Sequence, residues 1–310
     1  MKSTEYKLKT HDNLEIQVYE WTPDDQSKIK GIVQIAHGMA EHAKRYNDFA
    51  NFLTDNGFVV FANDHRGHGK TAGDLKSVGF IGNKNGWDKI IADMKTLSNH
   101  AREKHVLKPY FIFGHSMGSF LSRKFVMDPG VKIEGAIFSG TTGNPGILGQ
   151  IGILLTNVML IFYPKNSDGK LMDKMSFGAY NHAFKPNRTK FDWLSRDNEQ
   201  VDRYVQDPYC GTVFSIGFFN EMLKGILYIS KQKNIVKTPE DLSILLISGD
   251  KDQVGKNGKG VIEVYNKYKK AGIKDISMKL FSDARHEILN ETNKTEVYEF
   301  ILDWLKRFVK

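Results

Sequence analysis

The spacing of hydrophobic and polar residues predicts buried strands that alternate with helices. Short apolar runs typical of buried strands lie at 31–36 and 58–62, and a further apolar run lies at 110–114. Residues 133–138, 242–247 and 276–281 are predicted as the remaining strands. Stretches with helical periodicity lie at 45–56, 87–105, 258–271 and 293–309. Residues 4–21 alternate polar and apolar around His11-Asp12-Asn13, which predicts an antiparallel hairpin at a sheet edge. The whole pattern is typical of an α/β protein with a doubly wound, mostly parallel sheet.

The alternation of strands and helices is interrupted near Thr141. Almost a hundred residues, up to about Thr238, contain no clear buried strand and are filled by apolar helical stretches, turns and aromatic residues. We therefore predict a core made of residues 1–140 and 239–310, with a helical cap, or lid, made of residues 141–238. An insertion at the carboxyl ends of parallel strands, where ligands bind in such sheets, is well placed to act as a lid.

Composition excludes several classes of protein. The 310 residues are 40% hydrophobic and 26% charged, which is ordinary for a soluble globular chain. The formal charge of +8 comes from scattered lysines without a dense basic block, so we expect no nucleic-acid partner. A single cysteine, Cys210, rules out an internal disulfide and fits a reducing compartment. The first ten residues contain no apolar segment, so we expect a cytoplasmic protein; the oligomeric state is left open.

The run Gly114-His115-Ser116-Met117-Gly118 has the Gly-x-Ser-x-Gly spacing of a nucleophile on a tight strand-to-helix turn. Such a turn projects the serine hydroxyl out of the sheet, and it closes only if the residues two before and two after lack a Cβ atom. The helix that begins at Met117 adds unpaired N–H groups and a positive dipole end beside the hydroxyl. The pattern therefore predicts Ser116 as a nucleophile.

Serine needs a base to accept its proton and an acid to orient that base. Asp252 follows the strand at 242–247, and it is favoured over Asp250 because it lies further into the loop. His286 occupies the equivalent loop one strand later. The chain order Ser116, Asp252, His286 is the order that a hydrolase sheet of this kind uses.

The tetrahedral oxyanion also needs donors. We predict the backbone N–H groups of Met117, next to the nucleophile, and of Met39, in the loop after the strand at 31–36. Gly38, His37 and His115 are predicted to lie at the substrate, with His37 and His115 also shaping the oxyanion loop and the serine turn.

No metal or organic cofactor is expected. Asp64, His65 and His68 lie close in sequence, but their loop is glycine-rich and lacks a matching ligand pair.

These blocks resemble the monoacylglycerol lipase and lysophospholipase group of the α/β-hydrolase superfamily. The matching blocks are His37–His42 with Arg45-Tyr46, Asn63–Gly69, Gly114–Gly118, Gly249–Asp252, and the segment from Leu194 through Asp197 to Asp207-Pro208. The resemblance implies an α/β-hydrolase fold, a triad of Ser116, Asp252 and His286, and an oxyanion hole at Met39 and Met117. The family often has a small residue where Met39 stands, and its lid varies most.

The run from Ile147 to Tyr163 is strongly apolar. It is either a lid helix buried on the core, or a helix that exposes an apolar patch to an acyl chain or a lipid surface. In the second case Lys165, Lys170 and Lys174 would suit anionic headgroups, and the cap would make transient contact with a membrane surface. Aromatic residues that add apolar lining are Phe177, Phe184, Phe191, Trp193, Phe214, Phe218 and Phe219.

The sequence therefore predicts a serine hydrolase of small, lipid-like carboxylic esters, with monoacylglycerol or lysophospholipid as substrate. A short-chain or aromatic-acid esterase, or a thioesterase, would use the same machinery. A peptidase is disfavoured because no acidic pocket for a substrate amine is visible. A non-catalytic ligand-binding member of the fold should lack a triad residue, and here all three are present.

Overall fold

The computed structural model describes residues 2–309, with one eight-stranded sheet at its centre. The strands are β1 (Lys2–Lys9), β2 (Glu15–Thr22), β3 (Gly31–Ala36), β4 (Phe58–Asn63), β5 (Tyr110–His115), β6 (Gly135–Ser139), β7 (Ser243–Gly249) and β8 (Ile276–Phe281). Their order across the sheet is β1-β2-β4-β3-β5-β6-β7-β8. Strands β3 to β8 run parallel to one another. Strands β1 and β2 form the antiparallel edge hairpin, and β2 pairs antiparallel with β4. The predicted fold class is confirmed.

Helices fill the connections. They are α1 (Asn47–Asp55), α2 (Gly86–Lys104), α3 (Met117–Phe125), α4 (Gly146–Phe162), α5 (Lys170–Phe177), α6 (Asn198–Gln206), α7 (Ile216–Ser230), α8 (Gln232–Ile235), α9 (Lys259–Lys270) and α10 (Lys294–Lys306). Strands and long helices lie close to their predicted bounds. The last helix ends earlier than predicted, because Phe308 and Val309 pack against the core outside the helix and prolong the apolar pattern.

Apolar side chains cover both faces of the sheet. On one face, α1 and α10 pack over strand residues such as Val33, Phe113 and Leu245. On the other face, α2, α3, α7 and α9 pack over residues such as Ile112 and Leu246. The sheet is therefore buried on both sides, as a doubly wound topology requires.

The segment between β6 and β7 contains α4 to α8 and, within the described residues, no strand longer than an isolated bridge between Asp168 and Ser215. Helix α7 belongs to the same apolar cluster as the sheet and contacts α2 and α3. Helix α4 lies against α7 and is mostly exposed. The division into a core and a cap at residues 141–238 stays a prediction. None of the described helices has the length and hydrophobicity that crossing a membrane requires.

Candidate active site

Ser116 lies at the turn between β5 and α3. Its backbone has φ 52° and ψ −119°, a region that few non-glycine residues adopt, and its N–H donates to the carbonyl of Ser139 at 2.9 Å. A Cβ atom on Gly118 would lie 2.0 Å from the carbonyl oxygen of Ala36, and one on Gly114 would lie 2.5 Å from that of Gly118. The two glycines therefore let the strained turn close against β3, and the turn presents the hydroxyl to the cavity described below.

Asp252 and His286 form a buried pair at the carboxyl ends of β7 and β8. His286 Nδ1 lies 2.9 Å from Asp252 Oδ1, while Oδ2 of Asp252 accepts a hydrogen bond from Ser248 at 2.8 Å. The N–H of Val254 donates to Oδ1 at 2.9 Å. The carboxylate is thus held by three donors, and it fixes Nδ1 as the protonated nitrogen of the imidazole, which leaves Nε2 as the basic one.

The contact between Asp252 and His286 shifts the pKa values of both residues. Burial alone would raise the pKa of Asp252, but the His286 ring and the hydroxyl of Ser248 lower it below the ordinary value. Burial alone would lower the pKa of His286, but the Asp252 carboxylate outweighs burial and raises it. Asp252 is therefore ionised at neutral pH, and it stabilises the imidazolium that forms when His286 takes a proton.

The oxyanion loop, residues 37–42, is held by a buried ion-pair network. Oε1 of Glu41 accepts the N–H of Gly38 at 2.5 Å and the hydroxyl of Tyr46 at 2.8 Å. Arg45 donates to Oε2 of Glu41 at 2.6 Å and makes a two-pronged contact with Glu287, at 2.8 and 2.7 Å. Arg45 therefore joins the oxyanion loop to the residue that follows His286.

The two carboxylates of this network differ. Burial raises the pKa of Glu41. Burial would also raise the pKa of Glu287, but the bidentate contact with Arg45 lowers it to about 2. Arg45 stays charged, so Glu287 is its anionic partner. Glu41 accepts the hydrogen bonds that hold the oxyanion loop in place.

The structure does not bring His37 to the substrate cavity, which corrects our expectation of a substrate contact. His37 is fully buried; its Nδ1 donates to the carbonyl of Gly38 at 2.8 Å, and its Nε2 accepts the N–H of His65 at 2.9 Å. Its ring lies 4.1 Å from that of His65 and 5.1 Å from that of His68. His37 therefore supports the oxyanion loop from beneath.

Asp64 has a structural role. Its carboxylate accepts the N–H groups of Ala43 and Lys70 at 2.9 and 2.8 Å, and the hydroxyl of Tyr19 at 3.2 Å. Three donors thus occupy the carboxylate, and it forms no candidate metal group with the described His65 and His68.

His115 lines the cavity beneath the catalytic pair. Its ring lies 4.7 Å from that of His286, and its Nδ1 lies 3.3 Å from the hydroxyl of Ser139. Burial and the neighbouring His286 lower the pKa of His115 to about 3, so it is neutral. A neutral ring here avoids repulsion with a protonated His286.

From the sequence, Trp193 was predicted only to add apolar surface to the substrate cavity. In the structure its indole lies 5.2 Å from the ring of His286, at 33° to it, and Tyr180 packs edge-on against the indole. Trp193 follows the segment Lys185–Asp192 of the predicted cap, far from His286 in sequence. No sequence pattern signals this contact, because the cap lacks regular spacing.

Ser116, His286, Gly38, Met39, His115 and Met117 all line one cavity of about 1010 Å³. Apolar residues of its wall come from α3, α4, α5 and α7 and include Phe120, Leu148, Ile151, Met172, Met222, Leu223 and Ile226. Polar residues of its wall include Asn181, Asn187 and Thr189. The cavity therefore joins the predicted nucleophile, the predicted base and the two predicted backbone donors with a long apolar wall and a smaller polar region. The roles assigned to these residues stay predictions.

The sequence matches the profile of one protein family, Hydrolase_4, described as serine aminopeptidase S33, over residues 27–293. The chain belongs to this family. The family lies in the α/β-hydrolase superfamily, as the resemblance implied. A similar curated protein is the monoacylglycerol lipase of Mycolicibacterium smegmatis, 27% identical, with 93% of this chain and 92% of the relative covered. The human monoglyceride lipase is 23% identical over 87% of this chain and 79% of its own length.

Solved structures agree on the fold. A thermostable carboxyl esterase from Bacillus coagulans, in complex with glycerol, superposes with a TM-score of 0.91 at 29% identity, and both chains are fully covered. A soluble variant of the monoglyceride lipase from Saccharomyces cerevisiae, in complex with a substrate analogue, has a TM-score of 0.76 at 19% identity, with 100% of this chain and 96% of that chain covered. At that identity, the yeast structure supports the fold alone.

Proposed function

We propose that the protein is a serine hydrolase of carboxylic esters with long aliphatic acyl groups, with monoacylglycerol as the substrate and lysophospholipid as the nearest alternative. The observation that carries the proposal is the buried Asp252–His286 pair in a cavity that also contains Ser116 and a long apolar wall. A flexible aliphatic chain matches such a wall better than a peptide does, because a peptide brings polar groups that need partners.

We propose an acyl-enzyme mechanism, which the hydrogen bond between His286 and Asp252 supports. The Ser116 oxygen attacks the ester carbonyl carbon while its proton passes to Nε2 of His286, and the oxyanion accepts the N–H groups of Met39 and Met117. The bond to the alcohol oxygen then breaks, and His286 gives its proton to the departing alcohol. Water attacks the acyl-enzyme, with His286 again taking the proton, and the fatty acid leaves as the proton returns to Ser116. Asp252 stabilises the imidazolium in both halves.

Two similar proteins support the choice of substrate. The relative from Mycolicibacterium smegmatis is described as a monoacylglycerol lipase, and the structure from Bacillus coagulans as a carboxyl esterase in complex with glycerol. Glycerol is the alcohol that hydrolysis of a monoacylglycerol releases. The polar part of the cavity wall, with Asn181, Asn187 and Thr189, suits a small polyol.

A series of nitrophenyl esters from two to sixteen carbons tests the acyl preference. We expect kcat/KM to rise from short to medium or long chains, and monoacylglycerol to be cleaved faster than a lysophospholipid of the same acyl chain. A steep decline beyond four carbons would instead establish the short-chain or aromatic-acid esterase. Comparing kcat/KM for a thioester and an oxygen ester of the same acyl length tests the thioesterase alternative. Faster hydrolysis of the thioester would indicate a thioesterase.

Labelling with a fluorophosphonate probe tests whether the protein is catalytic at all. We expect wild-type protein to be labelled and the Ser116→Ala variant to be unlabelled, with hydrolysis reduced by at least about 10³-fold. An unlabelled wild type would favour the non-catalytic ligand-binding protein.

The family description raises an aminopeptidase as a second candidate. An aminopeptidase must bind the substrate ammonium with a free carboxylate. Among the described residues that line the cavity, Glu41 and Glu287 already pair with Arg45, which leaves Asp173 as the carboxylate without an ion pair. Burial raises the pKa of Asp173, so ionisation of this carboxyl group is less favourable than at an exposed position. We expect no measurable hydrolysis of aminoacyl nitroanilides, and measurable turnover would overturn the ester assignment.

We also propose that α4 rests on lipid surfaces during turnover. Ile147, Leu148, Ile161 and Phe162 are each about three-quarters exposed. Met175 of α5 is half exposed, and both Leu148 and Met175 also line the cavity, so the apolar surface continues to the substrate. Two of the lysines expected to meet headgroups are already engaged, since Lys165 lies 3.6 Å from Glu221 and Lys170 lies 2.6 Å from Asp168. The attraction is therefore mainly hydrophobic.

A further inference from the structure

Three potential metal ligands of different types lie beside the oxyanion loop. His42, Asp207 and Cys210 each offer one ligand atom, and these atoms all lie within 4.8 Å of one another. Nε2 of His42 and Oδ2 of Asp207 are 2.8 Å apart. None of the three side chains takes part in the chemistry proposed above.

A tight turn places two of these ligands. In Asp207-Pro208-Tyr209-Cys210 the N–H of Cys210 donates to the carbonyl of Asp207 at 3.0 Å, with proline at the second position, which this turn favours. The N–H of Tyr209 donates to Oδ1 of Asp207 at 2.9 Å, which directs Oδ2 toward His42. The carboxylate is therefore oriented before any ion arrives, as outer hydrogen bonds orient ligands in metal sites.

We propose that His42, Asp207 and Cys210 bind a divalent transition-metal ion of the zinc type, and that the bound ion slows hydrolysis by displacing the oxyanion loop. Zinc takes nitrogen, oxygen and sulfur ligands together, with a water molecule completing a tetrahedron. Ligand distances of about 2.0–2.3 Å place ligand atoms about 3.3–3.8 Å apart. The three ligand atoms now lie within 4.8 Å of one another, so the ligands must shift to reach that geometry. The thiol proton is released to solvent as the sulfur binds.

The electrostatics of the site permit a cation. Burial raises the pKa of the Cys210 thiol, so the ion must displace its proton, while the charge of the nearby Arg45 is matched by Glu287. The carboxylate of Asp207 is 29% exposed at the side chain, so an ion can reach it from solvent.

A second group of potential ligands, His11, Asp12 and Asp93, provides a contrast. Both of its carboxylates already pair with Arg66, each at 2.5 Å. An ion there would have to displace the guanidinium, so this group carries no site.

The predicted effect on hydrolysis rests on the proposed function. The carbonyl of Ala40 accepts the N–H of Gly211 at 3.0 Å and the hydroxyl of Tyr204 at 2.9 Å, so the loop is already anchored to the 204–211 segment. Met39, the predicted oxyanion donor, precedes Ala40. An ion that draws His42 toward Cys210 pulls this loop away from its resting position. Because the donor acts mainly in the transition state, the ion should lower kcat more than it raises KM.

Titration with Co²⁺ tests the site without reference to activity. Cobalt bound to a thiolate gives a charge-transfer band in the near ultraviolet, and we expect wild-type protein to show it. Cys210→Ser should abolish the band, and His42→Asn should weaken cobalt binding more than about tenfold. His11→Asn, in the contrasting group, is the matched control and should retain the band. A wild type without the band, or a band that survives in Cys210→Ser, would overturn the site.

Titration with Zn²⁺ during ester hydrolysis tests the consequence. We expect kcat to fall at zinc concentrations that saturate the site and to recover on adding a chelator, with Cys210→Ser insensitive. Equal inhibition of wild type and Cys210→Ser would mean that zinc inhibits at another site, and it would overturn the proposal that the ion at Cys210 slows hydrolysis. If the protein hydrolyses no ester, the proposed function fails, and the cobalt band still decides the metal site.

Discussion

At the scale of single residues, the serine turn shows how backbone geometry supports the chemistry. Ser116 holds a positive φ only because the chain around it is tightly constrained, and Gly118 lies against the backbone of β3. The Gly-x-Ser-x-Gly pattern reveals this constraint in the sequence. Any side chain at Gly118 would collide with a backbone carbonyl group, which cannot move aside as a flexible side chain can.

We predict that Gly118→Ala destabilises the protein by about 1–3 kcal/mol and removes most of the activity, because the turn must open to accept the methyl group. Denaturant unfolding and ester hydrolysis measure the two effects. Gly130→Ala is the control, because its Cβ atom would meet side-chain ends rather than backbone, with Lys95 Nζ at 3.0 Å and Asp128 Oδ1 at 3.2 Å. Equal stability of the two variants would contradict the packing argument.

The pH dependence of hydrolysis should report His286. Only the neutral imidazole accepts the serine proton, so kcat/KM rises as pH passes the pKa of His286. Asp252 holds that pKa above its ordinary value of 6.5, so the midpoint should lie above pH 6.5.

In Asp252→Asn we expect kcat to fall by about 10⁴-fold and the midpoint to move down. A pH–rate series on wild type and variant checks both expectations. A wild-type midpoint clearly below 6.5 would argue against this pairing.

His65 is a buried histidine with an unusual lack of partners. Neither ring nitrogen has a hydrogen-bond partner within the described residues, and burial lowers the pKa of His65 well below the ordinary value. Burial also lowers the pKa of His68, to about 4. The unfolded chain takes up protons below about pH 6.5, whereas the folded protein does not, so stability is complete above that pH and falls as the solution is acidified.

We therefore predict that His65→Phe or His65→Leu reduces the loss of stability between pH 7 and pH 5 by up to about 1.4 kcal/mol per pH unit. Because the His65 ring makes no described hydrogen bond, these variants should stay close to wild type in stability at pH 7.5. Unfolding free energies across this range provide the measurement. If the unfolding free energy of both variants fell with pH as steeply as that of wild type, His65 would have to take up a proton in the folded state.

At the scale of elements, a polar seam joins α4 to α7. Asn220 donates to Thr156 Oγ1 and to Asn157 Oδ1, both at 2.8 Å, and its own oxygen accepts from Lys224 at 2.7 Å. The seam fixes the rotation of a helix whose outer face is almost entirely apolar, since a buried amide tolerates few alternative placements.

Replacing Asn220 with alanine should loosen α4, because Thr156 and Asn157 lose their common donor. We expect faster amide exchange and easier proteolysis in residues 146–162, with α10 unchanged. Asn56→Ala serves as control, since that side chain bonds only to the carbonyl of Phe52 within the described chain, at 2.8 Å. Exchange in α4 that matches wild type would show that apolar packing alone holds the helix.

At the scale of the whole molecule, the exposed face of α4 should decide how the protein meets its substrate. We predict that Ile161→Glu with Phe162→Glu reduces binding to neutral phospholipid vesicles at least about tenfold, because burying each apolar side chain is worth about 1.5–3 kcal/mol. Neither residue lines the cavity, so hydrolysis of a soluble short ester should be unchanged.

Vesicle co-sedimentation gives the measurement. Leu107→Glu changes another exposed apolar residue, 98% exposed and distant in sequence, and it should bind vesicles like wild type. Equal loss of vesicle binding in the α4 double variant and in Leu107→Glu would point to net charge as the cause.

The extent to which sequence predicts this molecule depends on the range of the interactions. Strand β3 was predicted with its full bounds, because a strand buried on both faces is a continuous apolar run. Strand β8, at the sheet edge, was also predicted with its full bounds, although Ser277 and Lys279 interrupt its apolar residues. The placement of Asp252 and His286 followed from strand ends and chain order. The contact of Arg45 with Glu287 links positions 242 residues apart, and no local pattern encodes it. His37 was misplaced for a related reason, since its partner His65 lies in the loop that follows the next strand, β4.

Helix α7 is packed into the same apolar cluster as the sheet, and this has a consequence for how substrate enters. We expect a helix so anchored to stay in place, so that α4 and α5 widen the cavity by moving relative to it, and the bonds from Asn220 to α4 must break as they do. The hinges then fall at Gly140 and Gly146, both with positive φ, and in the stretch between Tyr163 and Gly169. On the proposed function, entry of substrate and release of fatty acid would then leave undisturbed the strand ends that carry Ser116, Asp252 and His286.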